Sequence, residues 1–213
     1  MRPRTVLLAL GLTLIVSAAW WVPRAFFPDR VPVRLKSASI ESAPMCPWRE
    51  PEEDLRLMFP GASTYRDETR ILSGVRPELA KRLGRLPSAE ENALRVHRVY
   101  TGENDLGAIL VRRVKGEHGA IELVVAVTEE GTVRGLRLQR LREPESIARI
   151  LQEPGWLASF TGKTATNHFK LEEDVPGVAT EARASAEAVT DGMRSLLVLF
   201  EMSNERLAAR THH

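Results

Sequence analysis

The feature that most constrains the fold is the alternation of apolar and polar side chains within residues 94–141. Residues 132–141 alternate at nearly every position, and residues 120–128 are rich in Val and Ile. A period of two is typical of strands, and Val and Ile favour buried ones. Glu129-Glu130-Gly131 separates the two runs, and Gly suits a turn that needs a positive φ. The pattern predicts an antiparallel sheet with one solvent-exposed face.

Two further runs, residues 95–100 and 106–114, predict two more strands of this sheet. Apolar residues at helical spacing predict helices beside it. The predicted helices cover residues 52–59, 77–86, 145–152 and 186–206. The apolar stripe of the last one is more typical of a core-facing surface than of a chemical site. The sequence therefore predicts an α+β fold, an antiparallel sheet packed by helices.

An uncharged, mostly apolar run over residues 5–23 precedes this domain, and Arg2 and Arg4 stand before it. About 17–25 apolar residues span a bilayer, so the run is long enough for a single membrane helix. The arginines favour a cytoplasmic N-terminus. The alternative is a signal peptide cleaved after Val16-Ser17-Ala18. Both interpretations place the rest of the chain on the extracytoplasmic, periplasmic side of the cytoplasmic (inner) membrane.

The predicted organisation has four parts. Residues 1–23 are the anchor or signal peptide, and residues 24–50 are a proline-rich linker, because dense proline favours an extended tether. Residues 51–206 form the folded domain, and residues 207–213 form a disordered tail.

Charge and cysteine content exclude several functions. Beyond residue 29 the chain holds 27 Lys and Arg and 27 Asp and Glu, so the extracytoplasmic part is neutral and nucleic-acid binding is not expected. Cys46 is the only cysteine, which excludes an intrachain disulfide, covalent haem and an iron–sulfur cluster. His97, His118 and His168 lack metal-ligand spacing and are expected on the surface, so no metal site is predicted.

The segment most informative about function is residues 180–194, which reads TEARASAEAVTDGMR. It predicts a turn of small residues that runs into a helix. A helix N-terminus with small side chains offers backbone N–H groups to a phosphate. Thr180, Arg183 and Ser185 are the polar candidates at this position, and Lys163 in the Gly162-Lys163 turn is a fourth.

This segment resembles the signature of the FMN-binding domain found in the G subunit of the Rnf complex and the C subunit of sodium-translocating NADH:quinone oxidoreductase. The family pattern is roughly [ST]-G-A-T-x-[ST]-S-x-A-V, often followed by T-x-G-V. The positions that fit it are Thr180, Ala182, Ser185, Ala188, Val189, Thr190 and Gly192. Two positions depart from it. Glu181 stands in place of Gly, and Arg183 stands in place of the Thr that carries FMN through a phosphoester.

The resemblance covers roughly residues 55–200, in the same order as in the family. Residues 125–133 match a family hairpin, and residues 155–163, GWLASFTGK, match the segment that precedes the motif. The family's H-x-E-T-P-G segment is represented only by Glu143 and Pro144.

The resemblance implies a flavin domain in which Arg183 cannot form the covalent bond, because it has no hydroxyl group. FMN, if bound, would be noncovalent, with Thr180, Arg183, Ser185 and Lys163 as phosphate contacts. Alternatives remain open for each residue. Thr180 and Ser185 suit helix N-capping, and Arg183 could be solvated or pair with Glu181 or Glu187. Lys163 could be a solvated turn residue, and Thr180 could accept FMN in a shifted register.

The resemblance implies an electron-transfer or accessory subunit of a membrane redox complex, with protein partners and no stand-alone enzymatic activity. Here that means a membrane-anchored, FMN-binding-like domain outside the cytoplasm. The alternative is an interaction subunit that kept the fold and lost the flavin.

Overall fold

The computed structural model describes residues 47–211. The predicted anchor, Cys46 and the linker up to residue 46 lie outside this range, as do residues 212–213. None of the helices within the range is long and apolar enough to cross a membrane.

The centre of the domain is a five-stranded antiparallel sheet in which each strand pairs with its neighbours in sequence order. The strands are β1 Thr64–Ile71, β2 Ala93–Thr101, β3 Asn104–Lys115, β4 Ala120–Val127 and β5 Val133–Leu141. The predicted α+β fold with an antiparallel sheet is confirmed. Gly131 has a φ of 87°, as expected for the turn between β4 and β5. The sequence pattern missed β1, whose residues TYRDETRI are mostly charged or polar.

Helices cover both faces of this sheet. They are α1 Pro51–Met58, α2 Arg76–Leu83, α3 Glu145–Leu151, α4 Pro154–Ala158 and α5 Arg183–Thr211, with 3-10 turns at Ser73–Val75, Ala89–Asn92 and Thr180–Ala182. The prediction for α2 was too long, because Gly84 ends the helix in a left-handed conformation. Leu86, expected on its apolar face, is 85% exposed. In contrast, α5 continues through residues 207–211, which were assigned to a disordered tail.

We call the side of the sheet under α5 the front face. The helical stripe expected to face the core is buried there, and each of its members is at most 1% exposed. These residues are Val189, Met193, Leu196, Leu197 and Phe200. A fully buried side chain of this size contributes about 1.5–3 kcal/mol, so α5 makes a large contribution to the core.

The expectation of a solvent-exposed second face is wrong. On this back face, Leu55 and Phe59 of the α1 region form a second apolar cluster with Val99, Ile109 and Val124. Residues 47–50, assigned to the linker, also contact it. Trp48 Nε1 donates to Asp54 Oδ2 at 2.6 Å, and Gln139 Nε2 donates to the Pro47 carbonyl at 2.9 Å. Burial on both faces agrees with the Val- and Ile-rich composition of β4.

His97 was expected on the surface and is 4% exposed. Its Nδ1 lies 2.6 Å from Asp67 Oδ1, which is its register partner on β1. The Trp48 ring covers it at a centroid distance of 4.8 Å. The prediction failed because it did not include β1, which supplies the carboxylate. His118 and His168 are exposed, as expected.

Candidate functional site

The head of α5 is a 3-10 turn, Thr180–Ala182, that leads directly into the helix at Arg183. The Ala182 N–H donates to the Ala179 carbonyl at 2.9 Å, and the Arg183 N–H donates to the Thr180 carbonyl. The cap position belongs to Ala179, and no side chain caps this turn. N-capping by Thr180 or Ser185 is therefore not observed, and two of the N–H groups that a phosphate could use are already bonded.

Arg183 is held between two carboxylates. Its Nη1 donates to Glu172 Oε1 at 2.8 Å, and its Nε donates to Glu187 Oε1 at 3.2 Å. The expected ion pair with Glu187 is confirmed, whereas Glu172 comes from the preceding loop and was not foreseen. The hydrogen bond to Glu172 is the main reason that the pKa of Arg183 is raised.

Ser185 is fully buried. Its Oγ accepts a hydrogen bond of 2.9 Å from the Glu117 N–H in the β3–β4 turn. This bond joins the head of α5 to the sheet. Since the hydroxyl group is enclosed and already bonded to the protein, Ser185 is an anchoring residue in this structure rather than a group that faces a ligand.

The β3–β4 turn presents further backbone N–H groups at this end of the sheet, and they too are occupied. The N–H groups of His118 and Gly119 donate to the Glu143 carboxylate at 3.2–3.3 Å. A Cβ on Gly119 would lie 1.9 Å from the Arg142 carbonyl oxygen, so a larger residue could not approach so closely. Adjacent N–H groups in a turn commonly bind anions. Here the anion is the protein's own Glu143.

Lys163 lies at the opposite end of the sheet. Its carbonyl accepts a hydrogen bond of 2.8 Å from the Val133 N–H, and Val133 pairs with Val127 at the end of β4. Ser185 is bonded just before β4 begins. A strand of 8 residues separates the two positions, which is roughly 20 Å or more. The structure thus brings Thr180, Arg183 and Ser185 together and does not bring Lys163 to them.

The remaining motif positions pack α5 onto the sheet. Ala182, Ala186 and Val189 are 0% exposed. A Cβ on Gly192 would lie 2.5 Å from Val114 Cγ1, so glycine permits close contact between helix and strand. These small residues account for the sequence pattern without any ligand.

The electrostatics around Arg183 do not fit an FMN phosphate. Glu172 and Glu187 contact the guanidinium, and Glu181 is exposed two residues before it. Three carboxylates against one arginine repel a dianion, and the effect falls off only over about a Debye length, ~8 Å in physiological salt. The residues present therefore offer neither a hydroxyl acceptor at position 183 nor a positive phosphate site.

A second arginine–carboxylate cluster, not predicted from sequence, lies farther along α5 around Glu91, which is 0% exposed. Arg85 contacts both Glu91 oxygens at 2.9 Å, and Arg112 Nη2 lies 3.2 Å away. Ser195 of α5 and the Ser88 N–H also donate to this carboxylate. The S-x-x-E spacing of Ser88 and Glu91 is a capping-box signal that was available in the sequence.

Burial alone would raise the pKa of Glu91. The hydrogen bonds from Arg85, Ser195 and the Ser88 backbone, with the charge of Arg112, outweigh burial and lower this pKa to about 2. The cluster is therefore charged at neutral pH. It ties the turn before β2, strand β3 and helix α5 together.

Within the described part of the chain, no three His, Cys, Asp or Glu side chains form a group that could hold a metal ion.

The fold and this site define an α+β domain with a long C-terminal helix docked on a five-stranded antiparallel sheet. No protein-family model and no curated protein sequence matches the chain. Among solved structures it is similar to the crystal structure of NqrC from Shewanella oneidensis. The two share 16% sequence identity with a TM-score of 0.46, over 71% of this chain and 88% of that one.

Proposed function

We propose that this protein is an accessory subunit of a membrane redox complex whose FMN-binding-like domain carries no covalent flavin and acts by binding a partner protein. The observation that carries the proposal is the residue at position 183 and the ion pairs it forms. An arginine paired with Glu172 and Glu187 occupies the position that bears the acceptor hydroxyl in the resembling family. The membrane location rests on the apolar run over residues 5–23.

The neighbouring groups support the same conclusion. The Ser185 hydroxyl is buried against the Glu117 N–H, and the turn amides of His118 and Gly119 bind Glu143. These hydroxyl and N–H groups are thus already bonded within the domain. The small motif residues keep the fold through helix packing, independently of a cofactor.

A second candidate function is electron transfer with noncovalent FMN. It is favoured by the exposure of Arg183, whose side chain is 49% accessible. Exposed ion pairs are weak, so a phosphate could displace Glu172 and bind the guanidinium fork. The surrounding carboxylates oppose this, which is why we rank it second.

Covalent attachment of FMN is tested by expressing the full-length chain with a flavin transferase. The protein is then denatured and separated by gel electrophoresis, and its band is inspected for flavin fluorescence. We expect the wild-type band to be dark. The double variant Arg183→Thr/Glu181→Gly restores the family residues and should fluoresce. Arg183→Ala/Glu181→Gly is the matched control, since it removes the same charges without adding a hydroxyl, and it should stay dark.

A fluorescent wild-type band would contradict the proposal, and its loss in Thr180→Ala would identify the acceptor. A folded but dark Arg183→Thr/Glu181→Gly variant would remove the support for a flavin-derived site. The visible spectrum of the native protein decides the second candidate. Oxidised flavin absorbs at about 450 nm. If the native protein shows this absorbance and acid precipitation releases the flavin into the supernatant, the result would favour noncovalent FMN over the flavin-free subunit.

A further inference from the structure

The sheet contains a fork between β2 and β3. The register of these strands extends from the Thr101–Asn104 pair only to the Val96–Leu110 pair. Beyond this point β2 continues to pair with β1 as far as the Ile71–Ala93 pair. Likewise β3 continues to pair with β4 as far as the Lys115–Ala120 pair. Two strands that part while each keeps its outer neighbour leave a gap in the sheet.

Side chains, not backbone pairs, bridge the gap. Arg112 on β3 reaches Glu91, two residues before β2, at 3.2 Å. Arg112 Nη1 also donates to Ser195 Oγ on α5 at 2.9 Å. The buried Glu91 cluster therefore bridges the fork, with α5 behind it.

A cleft of about 330 Å³ occupies the fork. Ala93 and Val111 form the more accessible part of its apolar lining, and Leu196 and Leu199 of α5, each 1% exposed, lie at its base. Arg95, His97 and Arg113 supply polar groups on its other walls, and Glu90 is the acidic residue among the lining side chains. This volume is at the lower end of the range for small-molecule sites, roughly 300–1,000 Å³.

The charged side chains that line the cleft differ in whether they are already paired within the protein. Arg112 is committed to Glu91 and Ser195, and Arg113 contacts the buried Glu122 at 2.7 Å. The Arg95 side chain forms no hydrogen bond or ion pair with any residue of the described range 47–211, although its charge helps to lower the pKa of Asp67. A guanidinium beside an apolar cleft is suited to a carboxylate.

We propose that this cleft binds a small organic anion in which a carboxylate is attached to a compact apolar body, such as an aryl or short branched acyl acid. The carboxylate contacts Arg95, and the apolar body lies against Ala93 and Val111, above the buried Leu196 and Leu199. The cleft is too small for a secondary-structure element of a partner protein, because an α-helix with its side chains is about 10 Å or more across. The site is distinct from the head of α5 and does not depend on whether flavin binds.

The probe is benzoate, titrated calorimetrically into the full-length chain in lipid nanodiscs, with empty nanodiscs as the blank. Benzamide has the same body without the charge, and acetate has the charge without the body. We expect saturable binding of benzoate at least about tenfold tighter than that of either analogue, because a charge-assisted hydrogen bond and an apolar contact are each lost in one of them.

Arg95→Gln should weaken benzoate binding at least about tenfold. Arg56→Gln is the matched control, since Arg56 is exposed on α1 and outside the cleft, and it should bind like the wild type. Ala93→Trp places a large side chain in the cleft without removing charge and should abolish binding. Absence of saturable benzoate binding, equal affinity for benzoate and benzamide, or equal affinity of the Arg95→Gln and Arg56→Gln variants would overturn the proposal.

Discussion

Two arginine–carboxylate clusters lie along α5, and they differ in burial more than in chemistry. At the helix head, Arg183 pairs with Glu172 and Glu187, and all three side chains are about half exposed or more. Farther along, Glu91 accepts hydrogen bonds from Arg85 and Ser195 and forms an ion pair with Arg112, and its side chain is fully buried. The buried cluster holds parts of the domain together, whereas the ion pairs of the exposed cluster are weak and exchangeable.

Burial changes what an ion pair contributes. Exposed pairs are solvated and screened by salt, so their net contribution is small. A buried carboxylate has lost its hydration, so removing any partner leaves a charge that water cannot reach. The sequence motif that resembles a flavin domain includes the exposed cluster, whereas the cluster that positions β2, β3 and α5 is the buried one.

The largest expected effect is that of removing the buried carboxylate. Glu91→Ala leaves Arg112 uncompensated and should lower the free energy of unfolding by about 3–5 kcal/mol, measured by urea denaturation followed by circular dichroism. Glu91→Gln keeps the volume and should cost less, which separates charge from shape. The matched control is Glu187→Ala in the exposed cluster. Similar losses in Glu91→Ala and Glu187→Ala would contradict the distinction between the two clusters.

The next effect is on pH dependence. The pKa of Glu91 is lowered from 4.5 to about 2 in the folded state. Its contribution is therefore fully present above about pH 4.5 and is lost as the pH falls toward 2. A shift of this size corresponds to on the order of 3 kcal/mol.

This effect can be checked by measuring urea midpoints between pH 7 and pH 2 for the wild type and Glu91→Gln. The two curves should converge at low pH, because the wild type then loses what the variant already lacks. Other carboxylates with lowered pKa values, such as Asp67 and Glu122, remain in both proteins and cancel in the difference. A constant difference between the two urea midpoints from pH 7 to pH 2 would mean that Glu91 does not cause the pH dependence of stability.

The smallest effect is expected at the helix head. Arg183→Ala should leave the urea midpoint unchanged within error. The midpoints of the variant and the wild type should also agree in 1 M salt. The reason is that the ion pairs removed by the substitution are exposed and screened. A clear loss of stability in Arg183→Ala would show that this cluster is structural after all, and would weaken the interpretation of position 183 as a replaced flavin acceptor.

Local patterns predicted the regular elements well where the periodicity was strong. The alternation in residues 132–141 and the stripe of Val189, Met193 and Leu196 both identified buried faces that the structure confirms. The pattern failed at β1, because an edge strand with charged residues such as Arg66 and Asp67 lacks apolar alternation. Charged residues on an edge strand protect it from pairing with other chains, so the missing signal has a physical cause.

The back face of the sheet illustrates the same limit. Leu55 and Phe59 were assigned to an apolar helix stripe, but the sequence did not indicate which surface they cover. The apolar stripe of a helix of 8 residues does not by itself specify which surface it packs against. The prediction of an exposed face failed for this reason.

The sequence by itself determined most of the elements, the neutral net charge of residues 30–213 and the absence of a hydroxyl at position 183, because each depends on a residue's type or on its nearest neighbours. Only the tertiary structure decided that Ser185 is bonded to Glu117 and that the Glu143 carboxylate accepts hydrogen bonds from the N–H groups of the β3–β4 turn. It also placed Lys163 at the other end of the sheet. It also decided which ion pairs are buried. Contacts between residues far apart in the chain depend on how the strands and α5 pack, and burial sets the strength of a charge–charge interaction.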